Sequence, residues 1–387
     1  MITSRIALVM LASLLLAGSV SAADDSGRFV VQLGRDTTGV EQYVRSATRV
    51  DVQQVGRSPH VMRRHFVYDY AGGALSHISL VVNPQGNPTP SQTIDAVAEP
   101  DSLRLTITTG TAAPTHLAVG LPRGSLVVAG SSPWTGYESL TMKLVKSKAD
   151  SLSTRMYFLG APSSNVVSLK RLGRDSVLVW NDHQDVYRLQ VDKTGRILAV
   201  VPVSGTQKFS VTRVAALDLE GMAAAFAASE KAGAGLGVLS PRDTARVADL
   251  GGANLWIDYG RPAMRGRPVY GGIVPWGEVW RTGANAATQF RCDKSLDFGG
   301  VIVPAGFYTL WTVPSPTGWK LLVNSQTGQW GTEHDATKDV YTVAMQSEAL
   351  PDPEERFVIH IVPRAGGGVL QFDWASTRAS VEFKVLP

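Results

Sequence analysis

The stretch LWIDYGRPAMRGRPVYGGIVPWGEVWRTGANAATQ, residues 255–289, decides how the chain is organised. Its first five residues alternate, with Leu255, Ile257 and Tyr259 on one side of a strand and Trp256 and Asp258 on the other. After that it becomes rich in glycine, proline, tryptophan and arginine. Glycine and proline weaken regular strands and helices, so this mixture predicts a long structured loop between two strands.

The same alternation recurs through the rest of the C-terminal part, residues 240–387. Strands that are apolar on one face and polar on the other pack their apolar faces together. The sequence therefore predicts a β-sandwich of jelly-roll type. Its expected core faces are Leu255, Ile257 and Tyr259, then Trp319, Leu321 and Val323, then Phe357, Ile359 and Ile361, then Leu370, Phe372 and Trp374, and last Val381, Phe383 and Val385.

Residues 23–218 contain many short runs of β-branched and aromatic residues that end at Gly, Pro, Asn or Ser. Such runs are typical of antiparallel strands. The clearest is VYRLQV-DKTG-RILAVVPV, residues 186–203, in which two alternating runs flank a turn sequence. We expect an antiparallel β domain here, so that the whole protein is mainly β.

One segment of this first half has helical spacing. Apolar residues of TGYESLTMKLVKSKAD recur every three or four positions, which predicts an amphipathic helix near 136–148. Thr135 and Glu138 have the spacing of a capping box at its start. A curved sheet with a helix across its mouth weakly resembles bacterial envelope lipoprotein-carrier domains, in topology and without a shared motif.

The two halves meet in an alanine-rich stretch followed by glycines. LEGMAAAFAASEKAG favours a helix that ends at Gly233, and GAGLGVLSP after it has the composition of a linker. We assign residues 219–239 to this helix and linker and place a domain boundary near residue 235.

The N-terminus and the composition indicate the compartment and the partner class. Residues 1–22 have a basic start, a short apolar run and small residues before Ala23, as a secretory signal peptide does. The rest contains no apolar stretch of membrane-spanning length. A net charge of +4 over 387 residues, without a dense basic run, argues against nucleic acid. The single cysteine, Cys292, rules out an internal disulfide.

Six motifs in the C-terminal half occur in an order and at spacings that resemble a known family. They are YGRP, GRPVYGG, VPWGEVWRTGAN, PAGFYTLWTVP, GQWG and LQFDW. The resemblance, over about 240–387, is to a bacterial family of exported proteins named only as a domain of unknown function, number twenty-nine eleven. It implies a domain type and carries no activity.

Within these motifs, WRTGAN is the strongest candidate for a site. An arginine can form paired hydrogen bonds with a carboxylate or phosphate, and Asn285 can add an amide. The alternative is that Arg281 pairs internally with Asp258, Glu278 or Asp373 and fixes the loop. Nearby aromatic and polar residues could line such a site. The candidate ligand-binding residues are Tyr259, Arg261, Trp276, Trp280, Arg281, Asn285, Trp330 and His334.

The segment GQWGTEHDATKDV adds carboxylates around His334 but matches no metal-site spacing. We therefore expect no metal and no cofactor. Hydrolase motifs such as Gly-x-Ser-x-Gly and His-Glu-x-x-His are absent from the sequence, as is a phosphate-binding loop.

Three functional hypotheses follow. The first is an exported protein of the periplasm or cell exterior that binds a small molecule, a glycan or an envelope protein. The second is an enzyme that uses Arg281, Asn285 and His334. The third is a structural envelope protein in which the WRTGAN loop only seals the sandwich.

Export is directly testable. We expect mass spectrometry of periplasmic or secreted material to show a mature N-terminus at Ala23 or within a residue or two, because small residues precede this position. Full-length protein retained in the inner membrane would contradict this.

Overall fold

The computed structural model describes residues 25–130, 132–181, 185–205, 208–233, 235–236 and 239–387. The predicted signal peptide, residues 1–22, lies outside the described residues. Over the described part the chain is mainly β, as predicted, with two large antiparallel sheets.

The first sheet has fifteen strands within the described residues. They are β1 (Asp25–Leu33), β2 (Asp36–Arg45), β3 (Arg49–Gly56), β4 (Met62–Ala71), β5 (Ala74–Pro84), β6 (Gln92–Ala98), β7 (Ser102–Thr109), β8 (Thr115–Gly120), β9 (Leu126–Val128), β10 (Ser151–Phe158), β11 (Asn165–Arg171), β12 (Ser176–Asn181), β13 (Val186–Val191), β14 (Ile197–Ser204) and β15 (Phe209–Arg213).

Neighbouring strands of this sheet mostly follow one another in sequence. From β8 the order runs back to β1, then from β15 back to β9, so that β1 and β15 join the two halves. All pairs are antiparallel except β9 with β10, which are parallel and are connected through helix α1 (Trp134–Ser147). The predicted hairpin is confirmed as β13 and β14, with Asp192 accepting bonds from Thr194 N and Arg196 N in its turn.

Helix α1 confirms the helix predicted near 136–148, and its apolar stripe of Trp134, Tyr137, Leu140 and Leu144 is buried in the core of the first sheet. The predicted capping box is wrong. The helix begins one residue before Thr135, and Glu138 is fully buried instead of reaching back to the helix start.

Glu138 faces the sheet because charged and polar groups of the sheet bind its carboxylate. Its carboxylate accepts hydrogen bonds from the Tyr43 hydroxyl, the Arg213 guanidinium and the Ile197 backbone N–H, the last at 2.8 Å. Arg45 approaches the same carboxylate at 3.5 Å. A buried charge is tolerated when it is paired and hydrogen-bonded in this way.

A second buried carboxylate, Glu41, has no such cation among the described residues. It accepts hydrogen bonds from the Thr135 backbone N–H at 3.0 Å, from the Thr135 hydroxyl and from the Gln54 amide at 2.9 Å. Burial raises the pKa of Glu41 above its ordinary value of 4.5, and these hydrogen bonds only partly oppose the shift.

Helix α2 (Leu219–Lys231) confirms the predicted alanine-rich helix. Asp218 caps it by accepting from Gly221 N at 2.8 Å. Leu219, Ala223 and Phe226 pack on a small apolar cluster of the first sheet. The helix therefore belongs, by its contacts, with the sheet that precedes it.

The second sheet has nine strands. They are β16 (Arg242–Leu250), β17 (Ala253–Gly260), β18 (Thr288–Cys292), β19 (Leu296–Asp297), β20 (Ile302–Val303), β21 (Gly306–Val313), β22 (Trp319–Asn324), β23 (Asp339–Arg364) and β24 (Gly367–Val385).

This sheet forms two layers that share the long strand β23. Its first residues pair with β22, and the rest pairs with β24, which in turn pairs with β19. The register of β23 with β24 shifts around Glu354. The core faces predicted from the alternation meet between the layers in one cluster, which also buries Cys292. The β-sandwich-like arrangement follows the prediction.

The buried Glu41 carboxylate predicts a pH dependence of stability. Because the folded protein holds this proton more tightly than the unfolded chain, its contribution to the free energy of unfolding falls as pH rises above 4.5. We expect Glu41→Gln to raise the melting temperature at neutral pH and to flatten the loss of stability between pH 4.5 and neutrality.

The control is Glu382→Gln, which removes an exposed carboxylate of β24. Melting curves by circular dichroism across this pH range provide the measurement. If Glu41→Gln and Glu382→Gln show the same pH dependence as the unmodified protein, then Glu41 does not hold its proton in the fold.

Candidate functional site

The loop between β17 and β18 extends from residue 261 to residue 287, as predicted from its composition. Reciprocal backbone bonds of 2.7 and 2.8 Å between Trp280 and Thr312 fix its second half to β21. The backbone N–H of Met264 bonds the Glu355 carbonyl at 2.8 Å and fixes its first half to β23. The loop is thus attached to both layers.

Two of the predicted site residues, Tyr259 and Trp280, lie in the core. Trp280 stacks on Trp374 with ring centroids 5.7 Å apart and planes inclined by 19°. Tyr259 packs edge-on against Phe357 and accepts a hydrogen bond from the Ile359 backbone N–H at 3.1 Å. Neither ring presents a face to a ligand. Alternation with Ile257 places Tyr259 inside, whereas the stack on Trp374 places Trp280 there, and aromatic identity alone did not reveal this.

Trp276 is the exposed end of an aromatic pile. It is 40% exposed and lies against Tyr270, with ring centroids 5.6 Å apart. Tyr270 in turn packs edge-on against Trp319 at 4.8 Å. The Tyr270 hydroxyl is buried without a hydrogen-bond partner among the described residues, and burial raises the pKa of this phenol. Sequence reasoning missed Tyr270.

Arg261 and Asn285 make internal bonds. The Arg261 guanidinium pairs with Asp243 at 3.0 Å, and its Nε donates to the Phe357 carbonyl at 3.2 Å. The Asn285 amide donates to the Ser240 carbonyl at 3.1 Å, and its backbone takes the left-handed φ of 66° that asparagine tolerates. Both side chains fix the loop in place.

Arg281 is different, and the internal pairing with Asp258, Glu278 or Asp373 is wrong. Asp258 pairs with Arg242, and Asp373 pairs with Arg378. Over the described part of the chain, no carboxylate lies within 4.0 Å of the Arg281 guanidinium.

The surroundings of Arg281 desolvate its charge. Its Nη1 donates to the Gly331 carbonyl at 3.3 Å, whereas its Nε is buried without a hydrogen-bond partner among the described residues. Burial lowers the pKa of Arg281 to about 10, and only the field of Asp185 opposes the shift. A desolvated guanidinium with so little compensation is unusual.

Gly331 packs against the Arg281 side chain. Its N–H donates to the Asn285 carbonyl at 2.9 Å, and a Cβ atom on it would lie 1.9 Å from the Arg281 Cδ. The neighbouring Trp330 bridges to Ala286 through its backbone and is 38% exposed. The GQWG and WRTGAN motifs therefore meet, and they bring together Arg281, Asn285 and Trp330.

His334 lies in the segment between β22 and β23, residues 325–338, which we call the covering segment. Its side chain faces inward. Its Nε2 is 3.0 Å from the Asp339 Oδ1, and its ring lies 4.7 Å from the Trp311 ring. The same Asp339 oxygen accepts from the Asn324 amide at 2.8 Å. Within the described ranges, no cluster of three His, Cys, Asp or Glu side chains could hold a metal ion.

Residues of the first sheet complete the surroundings of Arg281. Burial lowers the pKa of Lys208, and the charges of Arg281 and Arg267 lower it further, while Asp185 acts in the opposite direction. Nearby, Arg265 pairs with Asp36. The sequence offered no signal for Lys208 or Asp185, because both lie far from the loop along the chain.

Two cavities in the described structure lie elsewhere. One of about 100 Å³ is in the first sheet, beside Leu103 and Arg123. The other, a shallow depression of about 470 Å³, lies beside Arg246 and Trp256 on the second sheet. Neither is lined by a residue of the predicted site.

Comparison with known proteins identifies the C-terminal part. Residues 240–383 match the model of the family described as "Protein of unknown function (DUF2911)", which confirms the resemblance carried by the six motifs. No curated protein matches the chain.

Two solved structures are similar to parts of the chain. One is a DUF1089 family protein from Pseudomonas aeruginosa, with 15% identity, a TM-score of 0.31, and coverage of 42% of this chain and 89% of that one. The other is a beta-barrel-like protein of domain of unknown function DUF1849 from Brucella abortus, with 10% identity, a TM-score of 0.33, and coverage of 49% and 94%. Among the described residues, no helix has the length and apolar character to cross a membrane.

The close contact at Gly331 is testable by adding one methyl group. Gly331→Ala must displace Arg281 or the loop backbone, and overpacking of this kind costs about 1–3 kcal/mol of unfolding free energy. Gly318→Ala is the matched control, because a Cβ there meets nothing within 4 Å. Urea denaturation measures both. Equal stability of the two variants would mean that Gly331 does not confine Arg281.

Proposed function

We propose that the protein is an exported binding protein of the bacterial envelope, and that it binds an anionic group at Arg281. The ligand carries a carboxylate or a phosphate, either as a small molecule or on an envelope partner. The observation that carries the proposal is the partly desolvated Arg281 guanidinium, which has no carboxylate within 4.0 Å in the described structure.

The rest of the fold makes this observation informative. Two buried carboxylates elsewhere have a cation beside them, since Glu138 has Arg213 and Asp373 has Arg378. Desolvating a cation without a partner costs stability. An anionic ligand would supply the missing charge, and a guanidinium binds a carboxylate or phosphate through paired hydrogen bonds.

The neighbours of Arg281 favour the same ligand chemistry. Lys208 adds positive charge, and Asp185 is the acid whose field reaches Arg281. Trp330, which is 38% exposed, can provide an apolar wall beside the anionic group. A low dielectric strengthens the attraction between the ligand and the two cations.

The enzyme hypothesis is supported less well. Of its three residues, Asn285 donates its amide to Ser240 and His334 is engaged with Asp339. Arg281 alone has unsatisfied donor capacity. We therefore propose binding, without a catalytic step, and treat the structural hypothesis as an outcome of the test.

Arg281→Met separates binding from structure. Methionine keeps the stem volume and removes an uncompensated charge, so we expect the variant to melt at or above the temperature of the unmodified protein. The probes are inorganic phosphate and citrate in a thermal-shift titration. We expect both to raise the melting temperature of the unmodified protein and to have no effect on the variant, because only a bound ligand stabilises the fold.

The control is Arg378→Met. Its guanidinium bonds the buried Asp373 through 2.8 and 2.6 Å contacts, so removing it leaves an unpaired acid and costs about 3–5 kcal/mol. A comparable loss of stability in Arg281→Met, together with no response of the unmodified protein to either anion, would support the structural hypothesis and overturn the binding proposal.

A further inference from the structure

Four strands of the second sheet carry a row of alternating arginine and aromatic side chains. Arg246 of β16 lies opposite Trp256 of β17, Trp256 lies opposite Arg291 of β18, and Arg291 lies opposite Phe307 of β21. All four are on the outer face, since Leu255, Ile257, Phe290 and Leu310 next to them fill the core. We call this set the Arg-aromatic row.

The two arginines of the row form no ion pair with a described carboxylate. Arg246 and Arg291 are exposed, and in the described structure neither has a carboxylate within 4.0 Å. Asp258, on this face, pairs with Arg242 at 2.6 Å. Asp243 lies opposite Tyr259 and therefore on the other face of β16, where it pairs with Arg261 at 3.0 Å.

A further acid, Asp293, lies two residues after Arg291, directly after the end of β18. Arg291 lowers its pKa, but only after the larger effects of hydrogen bonds from Asn254. Asn254 holds both carboxylate oxygens of Asp293 at 2.6 Å. The two arginines therefore remain available to a ligand.

The aromatic rings of the row are not covered by the arginines. Trp256 and Phe307 lie 6.2 Å apart between centroids and are inclined by 45°, and Phe307 is 48% exposed. Among the described residues, the guanidinium groups that lie over aromatic rings are those of Arg45, Arg57 and Arg213, all in the first sheet. The arginines of the row are not used to cover its rings.

A binding surface fits these observations better than a stabilising pair. Cross-strand contacts between the rings and the arginines would stabilise the sheet. The guanidinium groups of Arg246 and Arg291, however, do not lie over the rings. The shallow depression of about 470 Å³ is lined by Arg242, Asp243, Thr244, Arg246 and Trp256. It places an open, positively charged volume directly beside the tryptophan.

We infer that the Arg-aromatic row binds an acidic glycan, a polysaccharide with carboxylates on its sugar rings. The apolar face of a sugar ring stacks on Trp256 or Phe307, and its carboxylate pairs with Arg246 or Arg291. The two arginines are two strand spacings apart, about 10 Å, so that a chain with an acid on successive sugars can reach both. This surface is distinct from the Arg281 position, and its test is independent of the proposed function.

Charge favours a glycan over nucleic acid. Nucleic-acid surfaces neutralise many phosphates, and binding rests on a dense field of cations. Here two arginines have no carboxylate partner among the described residues, Asp258 lies on the same face, and the whole chain carries a net charge of +4. One carboxylate per sugar matches this sparse arrangement.

The experiment is a calorimetric titration of the full mature chain with polygalacturonate, and with neutral hydroxyethyl cellulose as the uncharged polymer. We expect binding of the acidic polymer and none of the neutral one. Arg246→Gln with Arg291→Gln should weaken binding about tenfold or more, since two charge-assisted contacts are lost. Trp256→Leu should weaken it about fivefold through loss of stacking.

The matched control is Arg174→Gln with Arg188→Gln, which removes equal charge from exposed positions of the first sheet. It should leave affinity within about twofold. Circular-dichroism melting verifies that each variant folds; if Trp256→Leu does not, the exposed arginine pair decides the question. An unchanged affinity in the arginine variant, equal weakening by the control, or tighter binding of single-stranded DNA than of polygalacturonate would each overturn the inference.

Discussion

The stack of Trp280 on Trp374 governs the geometry of the functional loop. It places a loop residue in the core between the two layers, and backbone bonds to Thr312 hold that residue in extended form. Neighbouring residues of an extended segment face opposite sides. Arg281 is therefore directed away from the core, toward Gly331 and Lys208.

This constraint explains how the fold maintains a costly arrangement. A free arginine would turn its guanidinium to water, because its long stem allows the charged end to remain solvated. At position 281 the stem lies against the Gly331 backbone, so closely that a Cβ atom there would overlap the Cδ. The large aromatic core supplies the stability that retains the charge. The same reasoning applies to Glu41, which has hydrogen bonds but, among the described residues, no cation.

Alternation in the sequence predicted the sheets well, since a two-residue period and burial on one face are the same physical fact. The helical spacing of Tyr137, Leu140 and Leu144 likewise predicted α1. The side-chain roles were harder. Glu138 has capping-box spacing, but Tyr43 and Arg213, distant in sequence, draw it into the core. Tyr259 and Trp280 were expected at the site and lie in the core. The field of Lys208 at Arg281 depends on packing between two sheets, which no local pattern encodes.

The outer face of β18 and β21 shows how the covering segment divides this surface. Over its middle, Gln329 donates to the Thr309 hydroxyl at 3.0 Å and Gly328 donates to the Gln289 side chain at 3.1 Å. Those polar groups are therefore hydrogen-bonded within the protein. The cover ends before the next row outward, where Arg291 and Phe307 are exposed. Strands β18 and β21 extend beyond the covering segment. The polar and aromatic side chains that remain available to a partner on this face are therefore those of the Arg-aromatic row.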